Sequence, residues 1–184
     1  MEKGKQPLVI AIAAVSGGGK TTITTRLNAT LQNSKGLYFD EYDFDGPEDI
    51  INWVDNGANY DEWNLTPLIR DLKSLFTESL DYVVLDFPFA YKHSDTKDLI
   101  DLAVFIDTPL DIAMARRLIR DHHGSTAEDI IAEMSNYILH GRRGYLEMLN
   151  SIKPDSDIIV DGTLTVAEII NVIIEKIDTN RLLS

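Results

Sequence analysis

Cysteine is absent from this sequence of 184 residues, and so is any apolar run approaching the ~18 residues that a membrane span requires. Without cysteine, disulfides, thiolate nucleophiles and zinc–thiolate sites are excluded. The two absences fit a protein of a reducing compartment that does not enter a membrane. We therefore expect a cytoplasmic location and no membrane partner.

Positive charge is also scarce, because 17 lysines and arginines stand against 30 acidic residues and give a formal net charge of −13. A chain this acidic is a poor non-specific ligand for nucleic acids, so we expect no nucleic-acid partner. Five of its eight arginines nevertheless fall within one short stretch, at Arg116, Arg117, Arg120, Arg142 and Arg143. They either surround a bound phosphate or lie on the solvated faces of helices.

A glycine-rich segment reading AVSGGGKTT runs from Ala14 to Thr22, directly after the apolar segment Leu8–Ala13. With the helical pattern that follows, it matches the phosphate-binding P-loop, except that Ala14 replaces the first glycine. Glycines let backbone N–H groups converge on phosphate oxygens, and the helix start adds the positive end of its dipole. The pattern predicts that Lys20 reaches the β- and γ-phosphates of ATP and that Thr21 binds Mg²⁺. The alternative is a strand-to-helix turn with a solvated lysine.

Short apolar runs alternate with helical periodicity along the chain, which predicts a parallel sheet flanked by helices. We predict an α/β fold of the three-layer P-loop NTPase type, with a five-stranded parallel sheet and an arginine-bearing lid. The predicted strands are Leu8–Ala14, Gly36–Asp40, Tyr82–Asp86, Leu102–Asp107 and Asp157–Val160. Residues 1–184 are expected to form one domain, with a substrate-side insertion over residues 41–81 and the lid over residues 116–126.

Acidic residues end three of the predicted strands, namely Asp40, Asp86 and Asp107. Ligands of open α/β sheets bind at the carboxyl ends of the strands, so we expect these carboxylates to face the same crevice as the P-loop. Just after the fourth strand, Thr108-Pro109 is typical of a hydroxyl cap followed by proline at the first helical position.

Several segments together resemble the uridine kinase and phosphoribulokinase family of P-loop nucleoside kinases. Besides the glycine loop, Asp40-Glu41-Tyr42-Asp43 is similar to that family's Asp-Ser-Phe-Tyr motif, and Phe44-Asp45-Gly46-Pro47 is similar to its Phe-Asp-His-Pro motif. The run from Val104 to Asp121 reads VFIDTPLDIAMARRLIRD and matches a strand ending in Asp-Thr, followed by an Ala-Arg-Arg…Arg-Asp lid. Ser156–Val160 resembles the last strand, so the likeness covers most of the chain in order.

The resemblance implies a role for each matching residue. The catalytic residues are Lys20, Arg117, Arg120 and Asp40, with Asp40 as general base toward the accepting hydroxyl. The ATP-binding residues are Ser16, Gly17, Gly18, Gly19, Lys20, Thr21, Thr22 and Arg116. The substrate-binding residues are Asp40, Phe44, Asp45, Tyr91 and Arg117. Thr21 and Asp86 are the expected Mg²⁺ ligands.

Three of these carboxylates also have a purely structural interpretation. Asp40 could cap a turn at the end of its strand, and Asp86 could cap a helix. Asp45 could belong to an ordinary Asp-Gly-Pro turn.

The segment Asn59–Asn64 differs from the pattern with which the family's pyrimidine nucleoside kinases clamp the base. Tyr60-Asp61 is a partial match, and His93-Ser94 comes after the third strand, later than in the family. The aromatic residues Trp53, Tyr60 and Trp63 either stack on a substrate ring or close a small core beneath the insertion.

The sequence thus predicts an enzyme that uses ATP and Mg²⁺ to phosphorylate a hydroxyl of a small-molecule acceptor, a nucleoside or nucleoside-like compound, as a monomer or homo-oligomer. Two alternatives remain open: a kinase for another hydroxyl metabolite, such as a vitamin precursor or a sugar, and a regulatory P-loop ATPase without an acceptor. The altered segment at residues 59–64 favours the first alternative. Asp40 and the arginine lid count against the second.

Overall fold

The structure is a computed structural model, and it describes residues 6–183. The strands are β1 (Leu8–Ala13), β2 (Ser34–Tyr38), β3 (Tyr82–Asp86), β4 (Leu102–Asp107) and β5 (Ile158–Asp161). The α-helices are α1 (Lys20–Thr30), α2 (Ile50–Asp55), α3 (Thr66–Leu75), α4 (Ser94–Lys97), α5 (Leu110–Asp121), α6 (Ala127–Asn136), α7 (Arg142–Glu147) and α8 (Val166–Leu183). All strand pairs are parallel, in the order β2-β3-β1-β4-β5, which confirms the predicted five-stranded parallel sheet.

The central strand β1 explains the layered arrangement, because successive side chains of a strand point to opposite faces of the sheet. Val9 and Ala11 pack into the core beneath α3 and α5. Ile10 and Ile12 pack on the other face against α1 and α8. A strand buried on both faces reads as a continuous apolar run, as this one does.

Three strands differ in their bounds from the prediction, and the first of them, β1, ends at Ala13, one residue earlier than predicted. Strand β2 starts two residues earlier than predicted and ends at Tyr38, so that Asp40 lies in the 3₁₀ turn Phe39–Glu41 that follows the strand. The hydroxyl of Ser34 donates to backbone carbonyls at the end of α1 and starts the strand there. Strand β5 starts one residue later than predicted and ends at Asp161, and just ahead of it the Asp157 carboxylate accepts the N–H of Ala103.

The long segment between β2 and β3 contains α2, the 3₁₀ turn Tyr60–Glu62 and α3. Helix α3 buries Leu68, Leu72 and Leu75 and so anchors the segment to the sheet. Farther along the chain, the helices α6 and α7 are joined by the π-helical turn Tyr137–Gly141, and a second π-helical turn follows α7. No helix in the described part of the chain is long and apolar enough to cross a membrane.

Candidate active site

The glycine loop lies where β1 ends and α1 begins, in the middle of the sheet. Strand β1 pairs with β3 on one side and with β4 on the other. The chain builds β2 and β3 on the first side of β1 and then crosses to the second side for β4 and β5. Such a switch point leaves a crevice at the carboxyl ends of the strands, where open α/β sheets bind their ligands.

Two glycines of the loop have a backbone conformation that few other residues adopt. Gly17 has φ +77° and Gly19 has φ +99°. A Cβ atom at Gly17 would also clash with the backbone carbonyl of Ala113 in α5, and one at Gly18 would lie 2.7 Å from the carbonyl oxygen of Val15. The loop therefore requires its glycines both for conformation and for close packing.

Residues around the loop hold it in this shape. Ala14, which replaces the first glycine of the P-loop pattern, is buried against Gly18. A Cβ at Gly18 would lie 2.8 Å from the Cβ of Ala14, so these two positions have no space for a larger side chain. The hydroxyl of Thr108 donates to the carbonyl of Gly18 over 2.8 Å. The predicted helix cap at Thr108 is therefore wrong: α5 begins at Leu110 without a side-chain cap, and Thr108 instead ties β4 to the loop.

The start of α1 is free of competing groups. Gly19 precedes the helix without a side-chain cap, and the first turn contains no acidic residue. The first N–H groups of a helix have no partner within the helix, and they carry the positive end of its dipole. This end of α1 is therefore suited to bind an anion.

Lys20 forms an ion pair with Asp86, the last residue of β3, whose side chain is 1% exposed. Burial lowers the pKa of Lys20 to about 8, while the charge of Asp40 acts in the opposite direction. Asp86 does not serve as a helix cap, since α4 begins at Ser94 and is capped by His93. Its carboxylate lies beside the loop, at Lys20.

A cavity of about 640 Å³, here called the loop cavity, opens above the glycine loop. The predicted site residues that line this cavity are Ser16, Gly17, Gly19, Lys20, Thr21, Thr22, Asp40, Arg116 and Arg120. Phe39, Pro88 and Met148 also line the loop cavity, and none of them was a predicted site residue. The structure thus brings Asp40 to the loop, although Asp40 lies beyond the end of β2.

The five clustered arginines have different surroundings. Arg116 and Arg120 line the loop cavity. The pKa of Arg120 is raised by its hydrogen bond to Asp121 and further by the charge of Asp40. Arg143 pairs with Asp55 over 2.6 Å on the surface, and Arg142 is exposed.

Arg117 is held away from the loop cavity by partners in the helices that follow. Its guanidinium donates to Glu133 over 2.6 Å and to the hydroxyl of Tyr145 over 3.3 Å, and it lies 3.5 Å from Asp121. Arg117 is absent from the lining of the loop cavity. In this arrangement it links α5 to α6 and α7.

Three further predicted residues lie outside the loop cavity. Phe44 stacks on Tyr42 with ring centroids 5.4 Å apart, and Asp45 is exposed. The hydroxyl of Tyr91 donates to Asp157 over 2.6 Å, near the amino ends of β4 and β5. Tyr91 therefore lies at the opposite edge of the sheet from the glycine loop.

The expectation that Asp107 shares the crevice of the P-loop is also not met. Its carboxylate accepts a hydrogen bond from Lys153 over 2.6 Å, and Asp107 does not line the loop cavity. The partner lies far along the chain, so the strand pattern alone gave no sign of this ion pair.

A second cavity of about 250 Å³, here called the aromatic cavity, adjoins the loop cavity and shares Ser16, Pro88 and Met148 with it. Its aromatic side chains are Trp53, Tyr60, Trp63, Phe89 and Tyr145. The two predicted interpretations of these aromatic residues are thus not exclusive, because Trp53 and Tyr60 are buried in the core and also line a cavity.

A third cavity of about 230 Å³, here called the side cavity, lies on the other side of the loop cavity. The two share Gly19, Thr22 and Arg116. The segment after β5 and the start of α8 contribute Gly162, Leu164, Val166 and Ile169, which the sequence reasoning missed. The sequence feature that could have identified them is Gly162, which follows the last strand at the edge of the sheet where ligands bind.

Tyr60-Asp61, which partly matches the base-clamp pattern, meets His93-Ser94, which comes later in the chain than that pattern requires. The N–H of Ser94 donates to the Asp61 carboxylate over 2.7 Å. The ring of His93 accepts the N–H of Asp95 at Nδ1, which leaves Nε2 to donate to the carbonyl of Trp63 over 2.9 Å. These bonds fasten the segment after β3 to the aromatic cavity, and neither Asp61 nor His93 lines that cavity.

Known proteins similar to this chain include kinases. A sequence model of the Phosphoribulokinase / Uridine kinase family matches residues 54–169. A uridine kinase of Macrococcus caseolyticus is 29% identical, with 83% of this chain and 86% of that protein aligned.

Solved structures with a similar fold include a shikimate kinase from Aquifex aeolicus, with a TM-score of 0.53 and 15% identity over 95% of this chain and 99% of that one. Another is a deoxyadenosine kinase from M. mycoides with bound dATP, with a TM-score of 0.52 and 17% identity over 93% of this chain and 99% of that one. At these identities the likeness concerns the fold alone.

Proposed function

Since this chain belongs to the Phosphoribulokinase / Uridine kinase family, we propose that it transfers the γ-phosphoryl group of ATP to a hydroxyl of a small molecule. A nucleoside or nucleoside-like compound is the first candidate for the acceptor. The observation that carries the proposal is the row of three adjoining cavities around the glycine loop. A transfer enzyme needs space for a donor and an acceptor on either side of the transferred group.

The donor fits the side cavity and the loop cavity. The side cavity is bounded by glycine backbone and by apolar side chains such as Leu164 and Ile169, which suit the base of ATP. The loop cavity combines the open start of α1 with Lys20, Arg116 and Arg120, which suit its phosphates. We propose these groups as the ATP-binding residues.

Thr21 and Asp86 are the residues proposed to hold Mg²⁺. Thr21 lies in the first turn of α1, and the Asp86 carboxylate lies beside Lys20. The described residues contain no cluster of three or more metal-binding side chains. Few protein ligands suit Mg²⁺, which takes most of its remaining ligands from phosphates and water. When bound, the ion would neutralise charge on the β- and γ-phosphates.

Asp40 is proposed as the base for the acceptor hydroxyl. In the proposed step, the Asp40 carboxylate takes the hydroxyl proton while the hydroxyl oxygen forms a bond to the γ-phosphorus and the bond to the ADP oxygen breaks. Lys20 and Arg120 would stabilise the charge that develops on the phosphoryl oxygens. The position of Asp40 in the loop cavity supports this role.

Arg117 and Tyr91 are not part of the proposal, because their polar groups are occupied elsewhere. Phe44 contacts Phe39, with ring centroids 4.7 Å apart, and Phe39 lines the loop cavity, so Phe44 is proposed as a supporting residue. Asp45 as a contact to acceptor hydroxyls, the lid over residues 116–126, the cytoplasmic location and the oligomeric state stay predictions.

The experiment that tests the proposal measures ADP formation by the purified protein with Mg·ATP, alone and with a panel of nucleosides, sugars and vitamin-like alcohols. We expect at least one acceptor to raise the rate of ADP formation well above the rate without acceptor. A rate that no acceptor changes would contradict the proposal and favour a regulatory ATPase. The aromatic cavity beside the loop argues against that alternative, because an ATPase without an acceptor has no use for it.

A further inference from the structure

The aromatic cavity lies where an acceptor would have to sit. It shares Ser16 of the glycine loop with the loop cavity. Phe39 connects it to Asp40, since Phe39 is the neighbour of Asp40 and its ring lies 5.2 Å from Phe89 and 6.0 Å from Trp63. A molecule in the aromatic cavity could therefore extend toward the proposed base and the γ-phosphate.

The walls of the aromatic cavity favour a flat ring. The rings of Trp53, Tyr60, Trp63 and Phe89 contact one another with centroids 5.1–6.4 Å apart, and most of these contacts are edge-to-face. Such contacts hold the rings in fixed orientations and leave apolar surface for an additional ring. Sugars, which are covered with hydroxyls, would leave polar groups unpaired against these walls.

Glu147 is the single charged side chain among the residues that line the aromatic cavity. Its Oε1 atom accepts the hydroxyl of Tyr60 over 3.2 Å. Burial and the nearby Glu147 carboxylate raise the pKa of Tyr60, so its hydroxyl remains protonated and able to donate. Within residues 6–183, Oε2 of Glu147 has no hydrogen bond or ion pair, which leaves one carboxylate oxygen for a ligand.

We propose that Glu147 selects the acceptor by accepting a hydrogen bond from an amino or ring N–H group at the far end of the acceptor's ring, and that anionic rings are rejected. A carboxylate in apolar surroundings binds a donor strongly and repels a negative charge. No lysine, arginine or histidine lines the aromatic cavity to compensate an anion. This proposal rests on the proposed function, because that function assigns the other end of the molecule to the phosphoryl transfer.

The sequence contains two tryptophans, Trp53 and Trp63, and both line the aromatic cavity. Tryptophan fluorescence therefore reports occupancy of the aromatic cavity without any need for activity. The probes are cytidine, whose amino group donates, and its dimethylamino analogue, in which methyl groups replace both N–H hydrogens. The proteins are the wild type, Glu147→Gln, and the control Glu175→Gln, which makes the same change on the exposed surface of α8.

We expect the wild type and Glu175→Gln to bind cytidine more tightly than the dimethylamino analogue by about tenfold or more, since the bond to a charged acceptor is lost with the methyl groups. Glu147→Gln should lose most of this preference while its circular dichroism spectrum stays unchanged. The proposal is overturned if neither compound binds, if the wild type shows no preference, or if Glu147→Gln keeps it.

The result is separable from that of the turnover experiment. If an acceptor stimulates ADP formation but Glu147→Gln keeps the preference for the amino group, the assignment of Glu147 fails and the proposed function stands. If the preference depends on Glu147 but no acceptor stimulates ADP formation, the proposed function fails and the assignment of Glu147 as a binding residue stands.

Discussion

At the scale of single residues, Asp40 and Lys20 place opposite charges in the loop cavity. Asp40 lies in the 3₁₀ turn Phe39–Glu41, and no side chain caps that turn. The purely structural interpretation of Asp40 as a turn cap therefore has no support, and a role in the chemistry becomes the better account of its position.

Replacing Asp40 by asparagine tests that role. Asp40→Asn keeps the size of the side chain but cannot take a proton, so we expect the acceptor-dependent rate to fall at least about 10²-fold with little change in ATP affinity. Asp43→Asn makes the same change at an exposed neighbour and should leave the rate nearly unchanged. A near-normal rate for Asp40→Asn would refute its assignment as the base.

The ionisation of Lys20 predicts how ATP affinity depends on pH. Burial lowers the pKa of Lys20 to about 8, and the neutral amine that forms above this pH attracts phosphate less strongly. We expect the Kd for ATP to rise about tenfold from about pH 7 to about pH 9, as measured by calorimetry.

Arginine keeps its charge throughout this pH range, so Lys20→Arg should show no such rise, although its overall affinity for ATP is expected to be lower. An affinity of the wild type that stays constant over the same range would show that the ion pair with Asp86 keeps Lys20 charged.

The residues that form the glycine loop could be predicted, because they are neighbours in the sequence. The hydrogen-bond partners of other side chains could not. The glycines, Lys20 and Thr21 are consecutive and share one turn. The partners of Tyr91, Arg117 and Asp107 lie far along the chain, at Asp157, Glu133 and Lys153. Nothing in a single sequence indicates which distant acidic or basic group such a side chain meets.

At the scale of elements, the strand–turn–helix unit of β1, the loop and α1 is the part that sequence predicts best. Its signals are an apolar run, a glycine cluster and a helical pattern in direct succession. The end of β2 was less well predicted, because the apolar residue Phe39 continues the strand pattern into the 3₁₀ turn that follows Tyr38.

The glycine loop packs closely against α5, so we expect a methyl group added at Gly17 to destabilise the protein. Gly17→Ala introduces a Cβ that clashes with the carbonyl of Ala113, and we expect the free energy of unfolding to fall by about 1–3 kcal/mol more than in the control. The control is Gly124→Ala, which has a similarly positive φ of +89° but open space around the Cβ.

Urea denaturation of both variants measures the difference, and calorimetry should show weaker ATP binding for Gly17→Ala alone. Equal losses of stability in the two variants would show that backbone strain, and not contact with α5, is what requires a glycine at position 17.

At the scale of the whole molecule, the number of strands and their parallel pairing were predicted, because strands that alternate with helices favour a parallel sheet. The three cavities were not, because each needs segments from distant parts of the chain. The aromatic cavity, for example, combines Trp53 of α2, Phe89 after β3 and Tyr145 of α7. Composition and spacing identify such residues as aromatic, but only the folded chain brings them to the loop.

The central claim is that these cavities serve one transfer of phosphate between two bound molecules. The measurement that tests it most directly incubates the protein with ATP labelled in its γ-phosphate and with each acceptor of the panel, and follows the label by mass spectrometry. The account predicts that the label appears on a hydroxyl of an acceptor in amounts equal to the ADP formed, and that Lys20→Ala abolishes both products. Label found only in inorganic phosphate, with every acceptor unmodified, would contradict it.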